Sequence, residues 1–307
     1  KPNAAAGDFT VARAGTAYRV DSNLAQESMG ANVPRINYPL DGGCPYLLTE
    51  PASTNLFLNS AVGVTQNITV TAAQSYTIYF LSGAGTITLS DAATQVVSVS
   101  DLEYSNAYTF TAATTTLTCT VAGVANLVQV ENLSYPTSYI VTTGATASRI
   151  ADAITGAGDA TLFSSVNSSG VLYAEIAALA DDLSFRVVSL NDNTGNNNVY
   201  IGYINTTNTV RCRMTVGGVA KAVIEYQLAD ETIFHKIAIR YNSSGAEMYI
   251  DGVSRGTPSI LDCSLPASTL ANVSFNFEPL TLPFYGKTKQ VAVYNYLTDA
   301  QMITLTT

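Results

Sequence analysis

The sequence predicts an almost all-β protein: two β-sandwich (jelly-roll) domains preceded by an irregular, extended N-terminal segment. Three observations carry this. Thr, Val, Ile and Tyr are abundant and suit a pleated, half-buried surface, whereas long Glu, Lys and Leu runs at helical spacing are missing. Short alternating runs recur between clusters of Gly, Asp, Ser and Asn. The run from His235 to Tyr241 alternates toward the polar turn Asn242-Ser-Ser-Gly245 and is answered by the run from Ala246 to Gly252, which ends in a second turn, Asp251-Gly252.

Taken in order, residues 1–60 hold little periodicity but many turn formers, among them Pro34, Pro39, Asp41-Gly-Gly43, Pro45 and Pro51. They read as an extended docking segment that folds against a partner chain and is disordered on its own. Residues 61–135 carry short strands expected over 67–71, 76–81, 86–89, 95–98, 108–111, 116–121 and 127–130, the spacing of a small sandwich. Residues 136–307 form the second sandwich, with strands expected over 170–177, 183–190, 198–205 and 210–216 before the hairpin. Near the end, Thr298 is placed to cap a short helix over 299–305.

Apolar residues make up 47% of the chain and charged ones only 12%, so Ser, Thr, Asn, Gly and Tyr must cover much of the surface. That balance suits an extracellular or virion surface. Lys and Arg number 14 against 23 Asp and Glu, a net charge of −9, and no basic cluster offers a footprint for phosphate backbones, which argues against nucleic acid. No run of 18 apolar residues predicts membrane insertion. Residue 1 is Lys and the N-terminus has neither a basic start nor an apolar signal core, so a processed chain or a fragment is expected. Cys44, Cys119, Cys212 and Cys263 form no CxxC pair; they read as buried, reduced hydrophobes, with a Cys212–Cys263 disulfide as the alternative.

Several stretches resemble known proteins. The elements Arg13-Ala-Gly-Thr16, Pro34-Arg-Ile-Asn-Tyr38 and Leu47-Leu-Thr-Glu-Pro-Ala-Ser-Thr-Asn-Leu56 are similar to a leader of bacteriophage tail and other virion-associated proteins. There it reads as an Arg-Ala-Thr element, a Pro-Arg-Ile/Phe-Asp-Tyr element and a Leu-Leu-Glu-Pro-X-X-Thr-Asn-Leu element; this chain has Asn37 where Asp is common and Thr49 ahead of the Glu-Pro pair. The bridge Thr137-Ser-Tyr-Ile140, then Arg149-Ile-Ala-Asp152, resembles a second phage element. The run Ser75-Tyr-Thr-Ile-Tyr-Phe-Leu-Ser82 looks like part of a jelly-roll carbohydrate-binding module. The 235–252 hairpin and the ending Leu297-Thr-Asp-Ala300 resemble a concanavalin A-like, laminin-G-like sandwich. The resemblance implies a concanavalin A-like second domain that binds more often than it catalyses, and a place on a capsid or tail beside other virion proteins.

Residues that could carry chemistry are few. A triad needs a histidine base, and the one histidine, His235, begins a strand and reads as packed beside the core. Paired carboxylates of a glycosidase would come from Asp181, Asp182, Asp192, Glu225, Asp230 and Glu231, which lie in no catalytic motif and read as turns and solvated loops. No catalytic residue is assigned. The octamer Asn191-Asp-Asn-Thr-Gly-Asn-Asn-Asn198 is rich in oxygen, so Asn191, Asp192 and Asn193 are the candidate ligands for calcium, though without EF-hand spacing. There is no Trp, but 18 Tyr exceed 10 Phe, and tyrosine offers sugars an apolar face with a polar tip. Tyr200, Tyr203, Asn193, Asn196 and Asn198 are the candidate glycan-binding residues.

The expected function is therefore a non-enzymatic virion protein that displays sandwiches for adhesion to a host or environmental glycan, as a homo-oligomer or repeated array. Two other classes share the fold: a purely structural capsid decoration or tail spacer, and a polysaccharide depolymerase.

Overall fold

In a computed structural model, residues 9–277 and 281–307 are described. The fold is all-β, as expected, with strands paired antiparallel throughout and one α-helix, Asp299–Thr306, among the described residues. The chain forms two compact units that interleave in sequence. Of the described residues, the larger comprises Phe9–Ala12, Tyr46–Thr49 and those of 153–307; the smaller comprises Arg13–Pro45 and Glu50–Asp152.

The smaller unit is a sandwich. One sheet runs Gln95–Val97, Thr86–Asp91, Thr116–Ala122, Gln66–Thr69, and the other Tyr108–Thr111, Ser75–Ser82, Asn126–Glu131. Alternation sets the core: Ile87, Leu89, Leu117 and Cys119 from the first sheet meet Ile78, Phe80, Val128 and Val130 from the second. The opposite face of the second sheet is polar yet buried. There Thr77 stands opposite Glu131 and Tyr79 opposite Gln129.

Residues 9–60, expected to be extended with little regular structure, supply paired strands to both units. Thr10–Ala12 pairs with Ala153–Thr155 and Tyr46–Thr49 pairs with Gly286–Thr288 in the larger unit. In the smaller, Ala17–Val20 pairs with Gln26–Met29 and Ser53–Asn55 with Ala147–Arg149. The leader's charged residues converge there. Arg13 Nη1 lies 2.8 Å from Asp152 Oδ1, Arg35 Nη1 2.5 Å from Glu50 Oε2, and Arg149 Nη1 3.2 Å from the same Glu50 oxygen. Arg35 also pairs with Asp152, and Ser138 donates to Glu50 through its backbone N–H at 2.7 Å. All five charged groups are buried.

The larger unit packs two sheets. Within it one runs Val253–Ser259, Gly245–Ile250, His235–Asn242, Gly170–Ala178, Gly286–Tyr294, Tyr46–Thr49; the other, five-stranded, runs Val219–Gln227, Thr209–Val216, Asn198–Tyr203, Arg186–Asn191, Asn272–Ser274. Leu172, Ile176, Ile237, Ile239 and Met248 of the first face Val188, Leu190, Ile201, Cys212 and Met214 of the second. Each such side chain contributes about 1.5–3 kcal/mol by leaving water. The expected hairpin is present, with Asn242 paired to Gly245. Its second turn places Asp251 at φ 47° and Gly252 at φ 78°, both left-handed, which is why glycine follows the aspartate. Thr298 caps the helix in a reciprocal box with Gln301, and the helix buries Met302 against Val171, Tyr173 and Tyr249 on the first sheet's outer face. All four cysteines are free thiols; Cys212 and Cys263 share the core without a disulfide.

Candidate binding face

Residues directly opposite one another in a sheet share a face. On the side of the five-stranded sheet away from its core, this rule assembles polar rows from distant parts of the sequence. Asn272 stands opposite Asn191, Asn191 opposite Asn198, and Asn198 opposite Thr215. In the next row Ser274, Ser189, Tyr200 and Arg213 follow one another, and beyond it Gly202, Arg211 and Glu225.

Part of the face is self-satisfied. Asn191 Nδ2 donates to Ser189 Oγ at 2.8 Å and to Ser274 Oγ at 2.9 Å, and Ser189 Oγ donates to the Asn276 carbonyl at 2.7 Å. Arg211 Nε donates to Glu225 at 2.7 Å, with its guanidinium 5.2 Å from the Phe185 ring centre. The rest is not. Asn198 Oδ1, Thr215 Oγ1, Asn272 Oδ1, Asn276 Oδ1 and Arg213 Nε are buried without a hydrogen-bond partner, five of eleven such atoms among the described residues. A lone buried polar group costs about 1–3 kcal/mol, and such groups are ordinarily met by a nearby side chain, an ordered water or a ligand.

The expected glycan residues divide across the sheet. Asn198 and Tyr200 lie on this face, and Asn193 and Asn196 are exposed on the loop joining its two central strands. Tyr203 does not join them. It is fully buried on the core side, its hydroxyl donating to the Ile176 carbonyl at 3.1 Å. Three residues along a strand reverse the face, so Tyr200 and Tyr203 cannot serve one surface. Tyr200 is no open platform either: it is 2% exposed, edge-on to Phe185 and Phe277 at 6.3 and 6.0 Å. Burial pushes its phenol pKa up, opposed by the nearby guanidinium groups of Arg211 and Arg213.

The candidate calcium ligands are hydrogen-bonded within their own loop. Asp192 Oδ1 accepts from the Thr194 backbone and hydroxyl at 2.9 and 2.7 Å, its Oδ2 from Asn197 Nδ2 at 2.7 Å, and Asn191 Oδ1 from the Asn193 backbone at 2.9 Å. The loop's own donors thus already bond these Asn191 and Asp192 oxygens. Among the described residues no group of three or more His, Cys, Asp or Glu is arranged to hold a metal ion.

The histidine and the acids are likewise engaged. His235 Nδ1 lies 2.6 Å from Asp251 Oδ2 and Nε2 2.9 Å from the Asp230 carbonyl. Asp182 pairs with Arg186, Asp230 Oδ1 accepts from Thr232, and Glu225 holds Arg211. Glu231 differs: it is buried, one carboxyl oxygen has no partner, and burial raises its pKa to about 7 against the pull of Arg186.

Sequence reasoning missed Ser189, Arg213, Thr215, Asn272 and Asn276. The signal was present as a polar residue at every second position in Ser189-Leu-Asn191, Arg211-Cys-Arg-Met-Thr215 and Asn272-Val-Ser-Phe-Asn276. Their burial, which gives the alternation its meaning, could not be read there.

No family model matches the sequence, and no curated protein matches it. Solved structures do. The chain is similar to the CBM40 of the Ruminococcus gnavus IT-sialidase, at 15% identity and TM-score 0.40, over 50% of this chain and 93% of that one. It is also similar to the heptameric SAP-like pentraxin of Limulus polyphemus, at 14% and 0.38, over 46% and 70%. Domain 4 of AbnA, an extracellular arabinanase of Geobacillus stearothermophilus solved with arabinotriose, matches at 14% and 0.38, over 53% and 77%. These likenesses concern the sandwich fold alone.

Proposed function

We propose that this chain is a non-enzymatic virion surface protein, on a tail fibre or other appendage, that holds glycans on the outer face of the five-stranded sheet. One observation carries the reading: rows of amide, hydroxyl and guanidinium groups cross that face with five buried polar atoms left unpaired. A sugar hydroxyl both donates and accepts, so it can complete an asparagine carbonyl, a threonine hydroxyl and an arginine N–H alike. The phage-like leader and bridge support the virion placement, and occupation of both His235 nitrogens supports binding without catalysis. A repeated array on a particle converts weak single-site affinity into firm attachment.

Thr215→Val is the decisive test, because it keeps the side chain's shape and removes only an unpaired hydroxyl. Oligosaccharide affinity, read on a glycan array and then by calorimetry, falls about tenfold, while thermal stability holds or rises, since an unsatisfied group has been removed. Loss of stability with unchanged binding assigns the hydroxyl a structural role and leaves the spacer reading. Oligosaccharide release by the purified chain would make it a depolymerase instead.

A further inference from the structure

The arginines of the larger unit are not equivalent. Arg186, Arg211 and Arg240 each pair with a carboxylate: Asp182, Glu225, and both Glu247 and Asp299. Arg255 has none among the described residues but lies over the Tyr226 ring, 4.7 Å from its centre. Arg213 pairs with no carboxylate and stacks on no ring among the described residues; its polar neighbour is the neutral phenol of Tyr200, which brings no charge. It stands in the middle row of the polar face, opposite Tyr200, with its Nε buried and unpaired. On its other side it faces Val223, and the diagonal carboxylate on that strand, Glu225, is paired with Arg211.

A partly buried guanidinium with no counter-charge beside it remains free to meet an anion. Its planar fork matches a carboxylate or sulfate through two parallel N–H bonds, a geometry that a neutral hydroxyl cannot reproduce. The unpaired acceptors alongside, Asn198 Oδ1 and Asn272 Oδ1, are buried and can accept from a hydroxyl only where the covering side chains give way. Anion receptor and hydroxyl acceptors thus lie on one surface. Resting on the glycan-binding reading above, we infer that this face selects an acidic sugar, a uronate, sialate or sulfated residue, and that Arg213 is the residue that meets its anionic group.

The whole chain carries a net charge of −9, which repels acidic glycans at long range. A preference for them must therefore come from a local cation. The full-length protein is titrated with a panel of uronate-, sialate- and sulfate-bearing oligosaccharides, each beside its carboxyl-reduced or desulfated counterpart. At least one acidic form binds tenfold or more tightly than its neutral partner, and Arg213→Gln brings that ratio to within about twofold. Arg213→Lys, which keeps the charge but not the fork, keeps an intermediate ratio and serves where the glutamine variant does not fold. Neutral forms binding as tightly as acidic ones, or a ratio untouched by either substitution, overturns the inference while glycan binding stands. No binding by any member, acidic or neutral, overturns both.

Discussion

At the scale of single residues, Glu231 is the group whose environment conflicts most with its chemistry. It is 1% exposed, one oxygen is unpaired, and burial outweighs Arg186, with Asp181, Asp182 and Asp230 adding repulsion, so its pKa stands near 7. Because the folded state holds the proton more tightly than the unfolded chain does, ionisation at neutral pH works against folding. Stability is not penalised below the free-glutamate value of about 4.5, declines as pH rises toward 7, and carries the full cost above it, on the order of 3 kcal/mol. Glu231→Gln removes the charge. Urea unfolding followed by tyrosine fluorescence finds the variant more stable than the parent at pH 8 and the difference gone at pH 4; a variant less stable at pH 8 would mean that the carboxylate is needed in its charged form.

At the scale of elements, the buried charge network organises the leader. Burial alone would raise the Glu50 pKa, but Arg149 and Arg35, helped by Ser138, hold it at about 2. Two carboxylates and three guanidiniums share the site, and removing one partner leaves the others buried without compensation. Arg35→Met is expected to cost about 3–5 kcal/mol by denaturant titration, far beyond the few tenths typical of a surface arginine. A cost under 1 kcal/mol would show that the network contributes little. Every residue of this network lies inside the leader and bridge elements, yet nothing local in the sequence marks the leader as folded. Arg13 and Asp152 are 139 positions apart, and a pairing at that range leaves no local period to detect. The strands were legible for the opposite reason: alternation in Ser75–Ser82 and the turn at Asp251-Gly252 are local signals. Strand Val219–Gln227 escaped because Val219 and Val223 are exposed on it, blurring the apolar side.

At the scale of the whole molecule, the two units carry opposite pH responses. In the smaller one, Glu50 binds its proton less readily folded than unfolded, so its contribution is complete above about pH 4.5 and is lost as pH falls toward 2. In the larger one, Glu231 works in reverse, costing stability as pH climbs from about 4.5 to 7. A single optimum therefore does not describe the chain. Amide hydrogen exchange, corrected for the intrinsic effect of pH, separates the units because each has its own central strand. Protection in Ser75–Ser82 is expected to fall between pH 5 and 3, and protection in Gly170–Ala178 to fall between pH 5 and 8. In Glu231→Gln the second decline flattens while the first is unchanged. Parallel loss in both strands at one end of the range would show that the units do not titrate through these two carboxylates.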